Sequence, residues 1–186
     1  MSVRNTWLVG LGMSAAVAAL VAVPAASPAG AAMGEQAAPP QLQQLTLRLA
    51  HNAGQLAEVQ GGSVDNGAEI IQTGVSFSRS ARWTAEDVGG GYVRLSNVRS
   101  GKCLEVRDAN TEDDALVNQW TCYTGQHQQW RFVAKGIGYQ LVARHSGKCL
   151  NVQSGVGEGN RLVQWPCSSQ GWNNDLWLPA WEPTTV

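Results

Sequence analysis

Histidine, carboxylate, cysteine and tryptophan are the side chains here whose spacing decides which chemistry is open. His51, His127 and His145 are scattered, with no metal-ligand spacing between them. Glu112-Asp113-Asp114 lacks the alternating oxygen ligands of a calcium loop and reads as a solvated turn. Serine, histidine and aspartate are all present, but no serine sits in a strand–turn–helix nucleophile motif. A glycosidase needs two acids facing one cleft, and no such pair can be placed. The chain therefore reads as non-catalytic, and neither metal nor cofactor is expected. What remains is four cysteines and eight tryptophans, and their positions are regular.

Gly101-Lys102-Cys103-Leu104-Glu105-Val106 is matched by Gly147-Lys148-Cys149-Leu150-Asn151-Val152, 46 residues on. Downstream, Asn118-Gln119-Trp120-Thr121-Cys122 is matched by Val163-Gln164-Trp165-Pro166-Cys167. Trp130 and Trp177 close the two blocks, and Tyr92 and Tyr139 open them. A worn third copy lies upstream, with Gly54-Gln55-Leu56-Ala57-Glu58-Val59, then Ile71-Gln72-Thr73-Gly74-Val75, then Trp83. In that copy Leu56 and Val75 take both cysteine positions at once. Losing two cysteines together is expected of bonded partners, because a lone thiol is a liability and two apolar residues can pack. Cys103 is thereby paired with Cys122, and Cys149 with Cys167. Trp83, Trp130 and Trp177 are assigned to the core.

The elements that must position these residues are short strands. In the middle block they fall near 93–96, 103–106, 116–120 and 130–133, where β-branched and aromatic residues alternate with polar ones. Gly, Asp and Asn clusters punctuate them, as at 108–114 and 155–160. No stretch after the leader holds a helical period. One unit of four strands cannot bury its own apolar face, so three units are expected to close into an all-β body with pseudo-threefold symmetry. The repeats are placed at 45–91, 92–138 and 139–181, within one domain over 45–186.

The start of the chain reads differently. Arg4 precedes an almost wholly apolar run at 7–23, and Ala-Gly-Ala follows at 29–31. This is the pattern of a secretory signal peptide over 1–31. The alternative is an uncleaved anchor, for which the run is short against the ~20 residues that span a bilayer. Residues 32–44, with Pro39-Pro40, read as a flexible linker. Export to the extracellular space fits an even number of cysteines. A net charge of −1 gives no electrostatic reason for nucleic acid or an anionic membrane as partner. A monomer is expected.

The combination of Gly-Lys-Cys-Leu-(acid or amide)-Val, Gln-Trp-x-Cys and Gln128-Gln129-Trp130 resembles the ricin B-type lectin family over roughly 45–181. The resemblance implies a β-trefoil whose lobes can each carry a shallow sugar pocket, and hence carbohydrate as the partner. A sugar ring offers an apolar C–H face to an aromatic side chain, and paired hydroxyls to a carboxylate or amide. By resemblance the polar anchor stands two positions after the first cysteine and the ring two before the second. Amides precede that ring and the closing tryptophan. The middle lobe then offers Glu105, Asn118, Trp120, His127 and Gln128, and is the best equipped. The third offers Asn151, Trp165, Asn174 and Asp175, with Val163 in place of an amide. The first keeps Glu58 but has Ile71 and Thr73 where the amide and ring belong, and reads as structural.

No lobe carries the family's usual aspartate anchor. Glu105 is a methylene longer, and Asn151 keeps the length but loses the charge that strengthens hydrogen bonds to hydroxyls. Trp120 and Trp165 have two readings, a sugar platform or core packing beside a disulfide. Trp172 falls in an extra two residues of the third block, either as an exposed ring beside the pocket or as loop filler. Glu105 is either the anchor or a plain solvent-facing strand residue. At the level of the molecule, the alternative to sugar binding is a trefoil that binds proteins, for example a protease inhibitor, through loops such as 110–114 or 155–160.

Overall fold

The computed structural model describes residues 43–182. The signal peptide expected at 1–31 and nearly all of the linker lie outside the described residues. Twelve strands follow in order: β1 (Gln43–Leu49), β2 (Asn52–Val59), β3 (Ile70–Thr73), β4 (Trp83–Asp87), β5 (Val93–Asn97), β6 (Cys103–Val106), β7 (Val117–Trp120), β8 (Gln129–Lys135), β9 (Gly138–Ala143), β10 (Cys149–Val152), β11 (Leu162–Trp165) and β12 (Trp177–Glu182). The helical pieces among the described residues are four short 3-10 turns, and none is long and apolar enough to cross a membrane. The four strands expected in the middle block are β5 to β8. One boundary moves: β1 begins at Gln43, so the last residues of the expected linker belong to the first strand.

The strands pair as β1–β4–β5–β8–β9–β12 and β12 returns to β1, closing a six-stranded barrel. The remaining strands form three hairpins, β2–β3, β6–β7 and β10–β11. This is a β-trefoil. Closure leaves the barrel without a free edge. Every second residue of β1 points inward, so Leu45, Leu47 and Leu49 are fully buried. Leu95 and Leu141 join them from β5 and β9. Trp83, Trp130 and Trp177 are fully buried as expected. Each indole N–H donates to a backbone carbonyl at the matching place of its own lobe: Ala57 at 3.4 Å, Leu104 at 3.0 Å and Leu150 at 3.0 Å.

The hairpin registers bear out the repeat alignment. Cys103 faces Trp120, Cys149 faces Trp165 and Leu56 faces Thr73. Glu105 faces Asn118, Asn151 faces Val163 and Glu58 faces Ile71. Both disulfides form as paired from the repeats. The worn copy differs from expectation in one respect. Leu56 is fully buried, but Val75 is exposed rather than packed in its partner's place.

Candidate functional site

The middle hairpin carries the residues expected at a site, folded tightly on one another. Trp120 ends β7 as a residue 41% exposed, which excludes core packing. Glu105 is buried, not a solvent-facing strand residue. Gln128 is fully buried beneath it. Its amide orientation is fixed, because Nε2 donates to the Thr121 carbonyl at 3.0 Å and Oε1 accepts from the Tyr123 N–H at 3.0 Å. That Nε2 also donates to Glu105 Oε2 at 2.9 Å. Gln128 therefore holds the anchor in place from below, where the sequence suggested direct contact with a ligand. His127 Nε2 lies 3.6 Å from Glu105 Oε2 and pairs with the Tyr123 hydroxyl. Burial pushes the Glu105 carboxyl above its ordinary 4.5, against the pull of the Gln128 hydrogen bond. Burial, aided by His145, holds the His127 imidazole below its usual 6.5. Gly125 permits this closeness: a Cβ there would sit 2.6 Å from His127 Cε1 and 2.7 Å from Tyr123 Cε2. Asn118 is buried, and its Oδ1 has no hydrogen-bond partner.

The third lobe is more open. A groove of about 450 Å³ is lined there by Asn151, Trp165, Trp172, Asn174, Val163 and, from the neighbouring lobe's loop, Asp114. Trp165 and Trp172 are 38% and 55% exposed, so Trp172 is the exposed ring of its two readings. The floor is a pair of amides, in which Asn174 Nδ2 donates to Asn151 Oδ1 at 2.7 Å. Asp114 is held at the rim by Gln153, whose Nε2 donates to Asp114 Oδ2 at 2.8 Å.

Asp175 requires correction as a ligand-contacting residue. It is fully buried, and both carboxylate oxygens are occupied. Oδ2 accepts from the Ser168 N–H at 3.0 Å, the Ser168 hydroxyl at 2.7 Å and Gln140 Nε2 at 2.9 Å. Oδ1 accepts from the Trp172 N–H at 2.6 Å. Asp175 thus fixes the loop that presents Trp172. In the first lobe Glu58 is engaged by the Ser80 hydroxyl at 2.6 Å, and Thr73 by Glu158 at 2.8 Å. Thr73 holds the place that Trp120 and Trp165 take in the other hairpins.

The family model for the ricin-type beta-trefoil lectin domain-like group matches three overlapping stretches, 43–120, 79–165 and 126–179. The chain belongs to this ricin-type β-trefoil family. A beta-galactoside-specific lectin 2 from Viscum album is 28% identical over 81 residues, which is 42% of this chain but 13% of that protein. A designed three-fold symmetric protein, ThreeFoil, superposes with a TM-score of 0.69 at 37% identity, covering 74% of this chain and 97% of its own. An exo-beta-1,3-galactanase from Clostridium thermocellum superposes with a TM-score of 0.70 at 33% identity, over 77% of this chain and 31% of that enzyme.

Within this ricin-type trefoil, sequence reasoning missed Tyr123 and Asp114. Tyr123 stands four residues before His127 across a glycine, a local signal that was available. Asp114 carried none, because it reaches the third-lobe groove from the middle repeat.

Proposed function

We propose that this chain is a secreted, non-catalytic carbohydrate-binding protein that holds a glycan or polysaccharide in shallow lobe pockets. The third-lobe groove is the principal site, and the middle lobe, where His127 and Tyr123 pair beside Glu105, is secondary. The observation that carries the reading is the groove itself: two exposed indoles, Trp165 and Trp172, beside the Asn151–Asn174 amide pair. Indole faces cover the C–H face of a pyranose, and amides satisfy hydroxyls that would be costly to leave unmatched. The lectin and galactanase among its relatives act on sugars by name, which supports the same ligand class here. Non-catalysis is supported by the groove lining, whose one carboxylate is Asp114, where hydrolysis of a glycoside ordinarily takes two. Secretion is supported by the leader pattern at 1–31 and the two disulfides. Two modest sites on one monomer would add avidity on a polymer.

The test is pull-down of the exported protein on insoluble xylan, cellulose and chitin, with a soluble glycan array. Trp165→Ala should abolish most capture and Trp120→Ala a smaller part, both with unchanged near-UV circular dichroism. A folded wild type that captures no glycan would reject the proposal and leave protein binding as the reading to pursue.

A further inference from the structure

The outer wall of the barrel carries a cluster of side chains that the lobe pockets do not use. Trp130 points into the core, so Gln129 and Arg131 on either side of it face outward. Leu95 is an inward residue of β5, so Arg94 faces outward too. The register sets Arg94 beside Gln129 and Val93 beside Trp130, which brings Tyr92 alongside Arg131. Arg144 follows β9, and its N–H donates to the Gln129 carbonyl at 2.9 Å. Three arginines from three segments thus share one face around Tyr92.

Their side chains are held in place. The Arg144 and Arg131 guanidinium carbons lie 4.7 and 5.2 Å from the centre of the Tyr92 ring. A ring holds a guanidinium in this way without neutralising its charge. Arg144 Nη1 also donates to Gln129 Oε1 at 2.7 Å. Gln129 is itself buried, and its Nε2 donates to the Thr124 carbonyl at 3.1 Å. Arg94 pairs with Glu86 at 2.6 Å and donates to the Tyr123 carbonyl at 3.1 Å. Among the described residues neither Arg131 nor Arg144 pairs with a carboxylate, and both are exposed. The face therefore carries two uncompensated positive charges. The chain's net charge of −1 hides them, because carboxylates gather elsewhere, as at 112–114.

Guanidinium groups present planar forks of N–H donors that match the oxygens of carboxylates and sulfates. Gln129 and Arg94 grip the carbonyls of Thr124 and Tyr123, in the loop that follows Trp120. The charged face thus borders the middle lobe. A glycan chain held at Trp120 extends onto it, which favours a polysaccharide over an acidic peptide. We propose that this face binds the oxyanions of an acidic polysaccharide, either uronate carboxylates or sulfate esters. The choice of polymer rests on the carbohydrate-binding reading, whereas the anion site uses none of the pocket residues.

The experiment is titration of the exported protein with polygalacturonate, dextran sulfate and neutral dextran, at low and high salt. Polyglutamate and single-stranded DNA run beside them. At least one acidic polysaccharide should bind, neutral dextran should not, and salt should weaken the binding. Preference between polygalacturonate and dextran sulfate assigns the anion as carboxylate or sulfate. The double variant Arg131→Gln/Arg144→Gln should bind the acidic polymer about tenfold more weakly. Its Trp165-dependent capture of neutral glycans should be unchanged. Tyr92→Leu keeps both charges but removes the ring that orders them, and should cost about threefold in affinity. Near-UV circular dichroism checks that each variant is folded. If the double variant is not, Arg131→Gln alone should still show about a threefold loss. No binding of either acidic polysaccharide, unchanged affinity in the arginine variants or in Tyr92→Leu, or equal binding of polyglutamate or DNA would each overturn the inference and leave the pocket reading standing. Acidic polymer bound as expected by a wild type that captures no neutral glycan would overturn the pocket reading instead.

Discussion

His127 lies between groups with opposing demands. Glu105 and Tyr123 are within reach of its Nε2, the His145 ring is 6.0 Å away centroid to centroid, and Asp108 acts on it from the turn after β6. Burial first, then His145, lowers its pKa, so the folded chain takes up a proton there less readily than the unfolded one. Stability from this residue therefore falls as the pH drops through the ordinary value of 6.5, and stops falling below the lowered folded value. Glu105 works in the opposite sense. Its raised carboxyl takes up a proton in the folded state first, which adds stability on acidification until the ordinary 4.5 is passed. His127→Gln removes only the loss. Urea unfolding followed from neutrality down to about pH 5 should show wild type losing stability relative to His127→Gln. Parallel curves would show that His127 is not held neutral by its surroundings.

Each hairpin must present an anchor on one strand opposite a platform on the next, and that places weight on how its ends are tied. Cys103–Cys122 and Cys149–Cys167 close loops with separations of 19 and 18 residues. Both begin on the strand that carries the anchor, two residues before Glu105 and Asn151. Constraining a loop of this length is worth about 3 kcal/mol through the unfolded chain. Replacing Cys149 and Cys167 together by alanine should lower stability by about that amount. It should also weaken glycan capture more than the matching change at Cys103 and Cys122, because the larger groove belongs to the third hairpin. Chemical denaturation and the pull-down read the two effects separately. The first hairpin lacks this tie and shows the consequence, with Leu56 buried and Val75 left exposed.

The three lobes are clasped in a ring by one residue type. Gln119 Nε2 donates to the Ser63 and Asp65 carbonyls at 3.0 and 2.9 Å. Gln164 Nε2 donates to Asn110 and Glu112 at 2.8 Å each, and Gln72 Oε1 accepts from the Gly157 N–H at 3.0 Å. The glutamine at this place in each hairpin, followed by tryptophan in the second and third lobes and by Thr73 in the first, thus grips a loop of the neighbouring lobe, and all three are buried. Gln164 holds the loop that leads to Asp114, so the groove depends on this contact between lobes. Gln164→Ala leaves two loop carbonyls without their donor and should cost about 1–3 kcal/mol in a single cooperative transition. It should also reduce affinity at the third lobe. Thermal unfolding and titration of the same variant check both.

The sequence by itself determined the three-fold repeat, the strand positions of the middle block, the disulfide partners and the buried tryptophans. These follow from local spacing repeated along the chain: a strand alternates with period two, and a closing indole recurs because each lobe has the same gap to fill. It also placed Glu105, Trp120, Asn151 and Trp165 at matching positions of their hairpins, since register is fixed once the repeat is. Only the tertiary structure decided which polar atoms were already in use. Asp175 and Gln128 read as ligand contacts until folding surrounded them with donors and acceptors of their own. Trp172, Asp114 and the amide pair meet in one groove through contacts across a loop and between lobes. A one-dimensional pattern records what residues are and how far apart they stand along the chain. Whether a side chain's hydrogen bonds are spent or free is settled by neighbours from other segments, and that is where this site was decided.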